Sequence, residues 1–301
     1  MKFTLTSNPL FKTAATLMMT GAVLASATAG AAERLELDVY NAGPGSFHVN
    51  ATLVTGETEA LLIDTGFTKA DALRIAAKVL DAGKPLKTIF ISQADPDFYF
   101  GAEVLKQQFP EARIITTAAV AEAIEKKMQG KVGYWGPKLG ANAPVSPVSP
   151  VLPEVYEGDT LTLDGHVIEI RGTEGILAHR PYLWIPDNQA ILGDLAVFSN
   201  LHLWTADTQT DAELDAWTEQ LESMLALNPE TVIPGHMAAG SDLTAGSIEY
   251  SKEYLANFRR AIAESETSEQ VKDAMTGQYP EAGLGIALDI GAKVHTGEMQ
   301  W

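Results

Sequence analysis

The 301-residue chain has no cysteine, which removes disulfides, zinc–thiolate centres and cysteine nucleophiles from consideration. Basic residues are scarce: 21 Lys and Arg face 39 Asp and Glu, a formal net charge of −18. Such a surface repels nucleic acid and anionic lipid at long range and attracts cations, so no nucleic-acid partner is expected. No Gly-x-Ser-x-Gly elbow occurs, and serine-triad hydrolysis therefore lacks its usual strand-to-helix turn. No apolar run approaches the roughly 20 residues needed to span a bilayer.

What is present begins with an address. Lys2 and Lys12 precede an apolar run over 14–25, and small residues continue through Ala32. This pattern predicts a secretory signal over 1–32, cleaved after Ala29, Ala31 or Ala32. Removing it takes away two lysines and no acids, so the mature charge would be −20. The expected product is periplasmic or secreted, with no stable membrane association after cleavage. With 46% hydrophobic residues the remainder can bury a sizeable core without disulfides. The chain divides into a main domain over 33–240 and a helical extension over 241–301, expected to pack on that same domain.

Period-two patterns predict strands over 35–40, 48–55, 60–63, 86–91 and 113–116, and again over 160–163, 166–171, 180–185 and 189–192. Helical spacing marks 68–82, 102–109, 118–128, 211–225, 243–264 and 268–276. Residues 130–153 carry five prolines and no apolar period, and are expected as an extended loop lying on the body. The tail to Trp301 carries no assignment.

Chemistry concentrates where strands stop. A buried strand ends at Ile91 and releases Ser92-Gln93-Ala94-Asp95-Pro96-Asp97-Phe98-Tyr99-Phe100-Gly101. Asp95 and Asp97 lie two apart around a proline, so both carboxylates can reach one ion. The plain alternative is that Asp97 caps a helix starting at Phe98 while Asp95 makes the turn. Three further strand-end loops are Asp64-Thr65-Gly66, Gly193-Asp194 and Pro234-Gly235-His236. His48 and His166 sit in strands and read as packed or surface residues.

The order and spacing of these four loops resemble the metallo-β-lactamase superfamily, over roughly Val49 to His236. The resemblance implies an α+β fold, a four-layer αββα sandwich of two sheets with helices outside and a metal cleft along the sheet edges. Asp64-Thr65-Gly66 is similar to that family's structural turn. Ser92 to Gly101 stands where the family writes Thr-His-x-His-x-Asp-His-x-x-Gly. Gly193-Asp194 and Pro234-Gly235-His236 resemble the turns supplying the bridging aspartate and the last histidine.

The departures are specific. Gln93 and Asp95 replace the first two histidines, Phe98 replaces the one after Asp97, and no histidine lies near Gly172-Thr173-Glu174-Gly175. The ligands that the resemblance leaves are Asp97, Asp194, His236 and Asp95, with Glu174, Gln93, His179 and His202 as further candidates. Such an oxygen-rich set departs from the nitrogen and sulfur that zinc favours. The expected cofactor is one divalent ion, whether zinc, manganese or iron, and not a pair. The leading expectation is a single-metal hydrolase of a small ester, amide or phosphoester, with Asp95 and Asp97 as its catalytic residues. The alternative keeps the sandwich but retires the site, leaving a cleft that binds a small molecule or partner. In either case Tyr134, Trp135, Phe198 and Trp204 would favour an apolar or ring-bearing small molecule.

Overall fold

The computed structural model describes residues 1, 2, 4, 34–144 and 151–301, so the expected export signal lies almost wholly outside the described residues. In chain order the first half runs β1 (Glu36–Asn41), β2 (Asn50–Thr55), β3 (Ala60–Ile63), α1 (Lys69–Ala82), β4 (Leu86–Phe90), α2 (Pro96–Tyr99), α3 (Ala102–Gln108), β5 (Arg113–Thr116), α4 (Ala118–Leu139) and β6 (Glu154–Val155). The second half runs β7 (Thr160–Leu163), β8 (His166–Arg171), β9 (Tyr182–Ile185), β10 (Ala190–Leu192), β11 (Phe198–Ser199), α5 (Asp211–Ala226), β12 (Thr231–Val232), β13 (His236–Met237), α6 (Gly246–Glu264), α7 (Ser268–Gln278) and α8 (Gly285–His295).

Strands β1 to β6 form one sheet in sequence order, antiparallel from β1 to β3 and parallel from there on. The second sheet is ordered β12-β10-β9-β8-β7, and β11 pairs with β13 in a short parallel ribbon. Alternation along the strands sets the layers. Leu61, Ile63, Phe90 and Ile115 point to a central core shared with Ile168, Ile170, Leu183 and Leu192 of the second sheet. Their neighbours Leu62, Ile89 and Ile114 point the other way, onto Ile75 and Val79 of α1 and Ile124 of α4. On the far side Trp184 and Ile191 meet Trp217 and Leu221 of α5 and Phe258 of α6. Sheets shared between three apolar layers make an αββα sandwich, and each fully buried Leu or Ile contributes about 1.5–3 kcal/mol to it.

Local signals explain the helix starts. Thr68, Thr210 and Thr267 each close a capping box, with Asp71, Glu213 and Gln270 three residues on. Asp71 also accepts the hydroxyls of Tyr40 (2.7 Å) and Ser46 (2.6 Å), which ties β1 and the following turn to α1.

One expectation is corrected, and the tail gains an assignment. Residues 130–153 are not an extended loop from their start, because α4 continues to Leu139 through Tyr134, Trp135 and Pro137. The proline sits in the last turn, where it denies the Gly133 carbonyl its helix donor close to the point at which the helix ends. Trp135 packs edge-on against Phe47 (5.6 Å) and Phe67 (5.1 Å), and this tertiary contact overrides the weak helix propensity of Gly130, Gly133 and Gly136. The tail is likewise ordered: α8 buries Ala287, Leu288, Ala292 and Val294. Residues 34–301 form one compact unit.

Candidate functional site

The polar end of the site is built by two chain turns that need glycine. Asp97 lies in the first turn of α2, whose N-cap position is Asp95 with no side-chain cap bond, so Asp97 is not a cap. After α2, a Cβ on Gly101 would stand 2.0 Å from the Thr65 carbonyl oxygen, and only glycine lets these loops touch. His236 follows Gly235, where a Cβ would stand 1.9 Å from the Asp194 carbonyl oxygen. The amide of Asn50 donates to the Pro234 carbonyl (2.7 Å) and holds this turn against β2.

These turns bring His236 Nε2 to 3.6 Å from Asp97 Oδ2. The other imidazole nitrogen, Nδ1, lies 2.9 Å from the Phe47 carbonyl oxygen, to which it donates. Phe198 stacks on the ring at 5.0 Å and Phe98 meets it edge-on at 5.4 Å. Burial holds the imidazole neutral by pushing its pKa down to about 4, a shift that the Phe47 bond only partly opposes. Burial, reinforced by the Asp95 charge, pushes the Asp97 carboxyl well above the usual carboxylate range. Among the described residues no side chain donates a hydrogen bond to Asp97.

Asp97 and His236 face a cavity of about 520 Å³. Aromatic rings wall it: Phe47, Phe67, Tyr134, Trp135, Phe198, Trp204 and Trp301, helped by Leu195, Leu284, Ile286 and Ile290. The four aromatics singled out from sequence all line it, although Tyr134 and Trp135 do so from a helix. Among the described residues the other ionisable groups on the wall are Asp95 and Lys131, whose side chains approach to 4.0 Å. Two of the indoles hang on one carboxylate: Asp207 accepts Trp204 Nε1 at 2.6 Å and Trp301 Nε1 at 3.0 Å. Burial would raise the Asp207 pKa, but the indole bonds and the Lys127 and Arg180 charges outweigh it and hold the group ionised.

The remaining candidates lie elsewhere. Asp194 is buried and does not line the cavity; its Oδ1 accepts the Val197 amide (2.8 Å), while Oδ2 has no partner. Burial pushes its pKa up to about 8. Asp64, with φ +63°, accepts the amide (2.8 Å) and hydroxyl (2.7 Å) of Ser92, a structural clasp between the ends of β3 and β4. Gln93 is buried and donates to the Pro181 carbonyl (2.9 Å). His202 is buried with Nδ1 2.9 Å from the Tyr254 hydroxyl, Glu174 is exposed, and His179 is half-buried off the cavity wall.

The metal site implied by the family pattern can be tested on this donor set. Among the described residues no three His, Asp or Glu side chains gather closely enough to hold a metal ion. Asp97 and His236 supply two donors, whereas catalytic zinc takes three protein ligands and structural zinc four. Phe98 fills the place of a third with a buried ring. The residues present therefore do not fit the expected metal, and His236 with Asp97 is better described as a polar clamp.

Sequence reasoning found Asp95, Asp97 and His236 but missed Phe47, Phe67, Lys131, Ile286, Ile290 and Trp301. For Ile286 and Ile290 a signal existed, since their helical spacing with Ala287, Leu288 and Ala292 marks α8. Trp301 meets its partners only through tertiary contacts.

Comparison with known proteins agrees with this architecture. A model of the metallo-beta-lactamase superfamily matches residues 44–236. No curated protein matches the chain. A metallo-beta-lactamase family protein from Thermus thermophilus superposes with a TM-score of 0.58 at 16% identity, over 87% of this chain and 91% of its own. A metallo-beta-lactamase from Pontibacter korlensis gives 0.53 at 15% identity, over 74% and 100%. At such identities these structures speak to the fold alone. The family model covers well over half of the chain, and with the αββα sandwich it places this protein in the metallo-beta-lactamase superfamily.

Proposed function

We propose that this protein is a ligand-binding member of its superfamily, whose cleft takes an apolar, ring-bearing small molecule. The supporting observation is the 520 Å³ cavity, ring-walled on its sides and polar only where Asp97, His236, Asp95 and Lys131 meet. Affinity would come from burying apolar ligand surface, at roughly 25 cal/mol per Å² before the costs of association, with the polar end fixing orientation. Tryptophan fluorescence offers the test, because Trp135, Trp204 and Trp301 all line the cavity. Titrating the purified chain with butylbenzene and phenylbutanol should give saturable spectral changes, without turnover across an ester, amide and phosphoester panel.

A single-metal hydrolase is the second reading. One observation favours it: Asp194 Oδ2 is buried without a partner, an arrangement that a cation would relieve. Stoichiometric zinc or manganese in the purified protein, with metal-dependent hydrolysis lost in Asp97→Ala, would establish it over the binding reading.

A further inference from the structure

We propose that the ligand carries one positive charge: the cavity is built for an apolar, ring-bearing organic cation whose ammonium group sits against Asp97. The inference rests on the ligand-binding reading and adds the chemical class. It follows first from the direction of the hydrogen-bonding groups. His236 spends its N–H on the Phe47 carbonyl, which leaves Nε2 as a lone pair facing Asp97 Oδ2 across 3.6 Å. That gap is too wide for a direct hydrogen bond, and once a bound cation favours the ionised form of Asp97, which burial alone disfavours, it presents acceptors on both sides. A group rich in N–H donors matches it, whereas an anion would meet acceptors only.

Charge points the same way. The cavity wall carries two carboxyl groups, Asp95 and Asp97, each pushed up by burial for want of matching positive charge, against one ammonium, Lys131. Lys131 lies 4.0 Å from Asp95, and among the described residues no cationic side chain stands at salt-bridge distance from Asp97, since His236 is held neutral. Behind the wall Lys127 stands 3.8 Å from Asp207, so that carboxylate is already matched. A monocation beside Asp97 would balance the wall.

The rings supply the third argument. Aromatic faces attract cations, most strongly when water is excluded. Two wall rings of this protein already carry ammonium groups over them, Lys138 Nζ 4.4 Å from the Tyr134 ring centre and Lys131 Nζ 5.9 Å from that of Trp301. The chain's net charge of −18 would raise the local concentration of such a ligand.

The test uses the full chain and three matched probes, phenylbutylammonium, phenylbutanol and butylbenzene, followed by tryptophan fluorescence near neutral pH. The ammonium should bind at least about tenfold tighter than the alcohol, by about 1.4 kcal/mol. Asp97→Asn should erase that advantage while butylbenzene, which has no polar group to meet the clamp, still binds and reports that the cavity is intact. Lys131→Gln should tighten the ammonium further relative to butylbenzene. An alcohol that binds as tightly as the ammonium, or an advantage that survives both substitutions unaltered, overturns the charge assignment while the binding reading stands. Failure of all three probes overturns both.

Discussion

Phe98 is the residue that most separates this site from the pattern of its superfamily. It is fully buried and fills with an apolar edge the position where the pattern has a histidine, beside His236. Gln93, with its amide spent on the Pro181 carbonyl, removes another nitrogen donor. Restoring both, as Gln93→His with Phe98→His, should raise zinc uptake from trace to stoichiometric, measured by elemental analysis after dialysis. The cost should be a lower melting temperature from burying imidazole. Buried carboxylates also set a pH dependence. The unfolded chain releases their protons near pH 4. The folded chain keeps the Asp64 proton to about pH 7 and the Asp194 proton to about pH 8. Stability therefore falls as pH rises through this window. Below about pH 6.5 the depressed histidines His236 and His179 act in the opposite sense, so the clean window runs from about pH 6.5 to 8. Asp194→Asn keeps an acceptor for the Val197 amide and should flatten the slope by up to about 1.4 kcal/mol per pH unit, read from denaturant titrations. An unchanged slope would mean that Asp194 is already ionised in the fold.

Among elements, the segment carrying Asp207 has the most specific task. Its carboxylate holds Trp204 and Trp301, two wall rings whose centroids lie 5.3 Å apart. Asp207→Asn should loosen both indoles and weaken ligand binding about tenfold, and it should also lower the melting temperature, because the buried Arg180 loses its nearest compensating charge. The same elements show how far sequence can be read. Strands β5, β7 and β8 and helix α1 are visible because alternation or 3.6-residue spacing and local caps agree. Helix α4 beyond Met128 is not, since its glycines and Pro137 oppose a helix sustained by tertiary packing of Val132 and of Trp135 against Phe47 and Phe67. The site divides along the same line. Asp97 and His236 stand out by motif, yet the direction of Gln93 and the depth of Asp194 depend on contacts far apart in sequence.

For the whole molecule, the lysine-flanked apolar run supports export, and intact-mass measurement of the mature protein should place its first residue between Gly30 and Glu33. Retention of Met1 in the soluble product would contradict that. A strongly acidic exterior around an aromatic cavity suits a protein that gathers a dilute ligand without binding nucleic acid. We propose that the sandwich has kept its cleft and holds an apolar ligand where the pattern of its superfamily holds metal. The most direct test titrates phenylbutanol into the purified chain twice, once with a chelator and once with added zinc. Saturable binding of equal affinity is expected in both titrations. Binding that appears only with zinc, or no saturable binding in either, would contradict it.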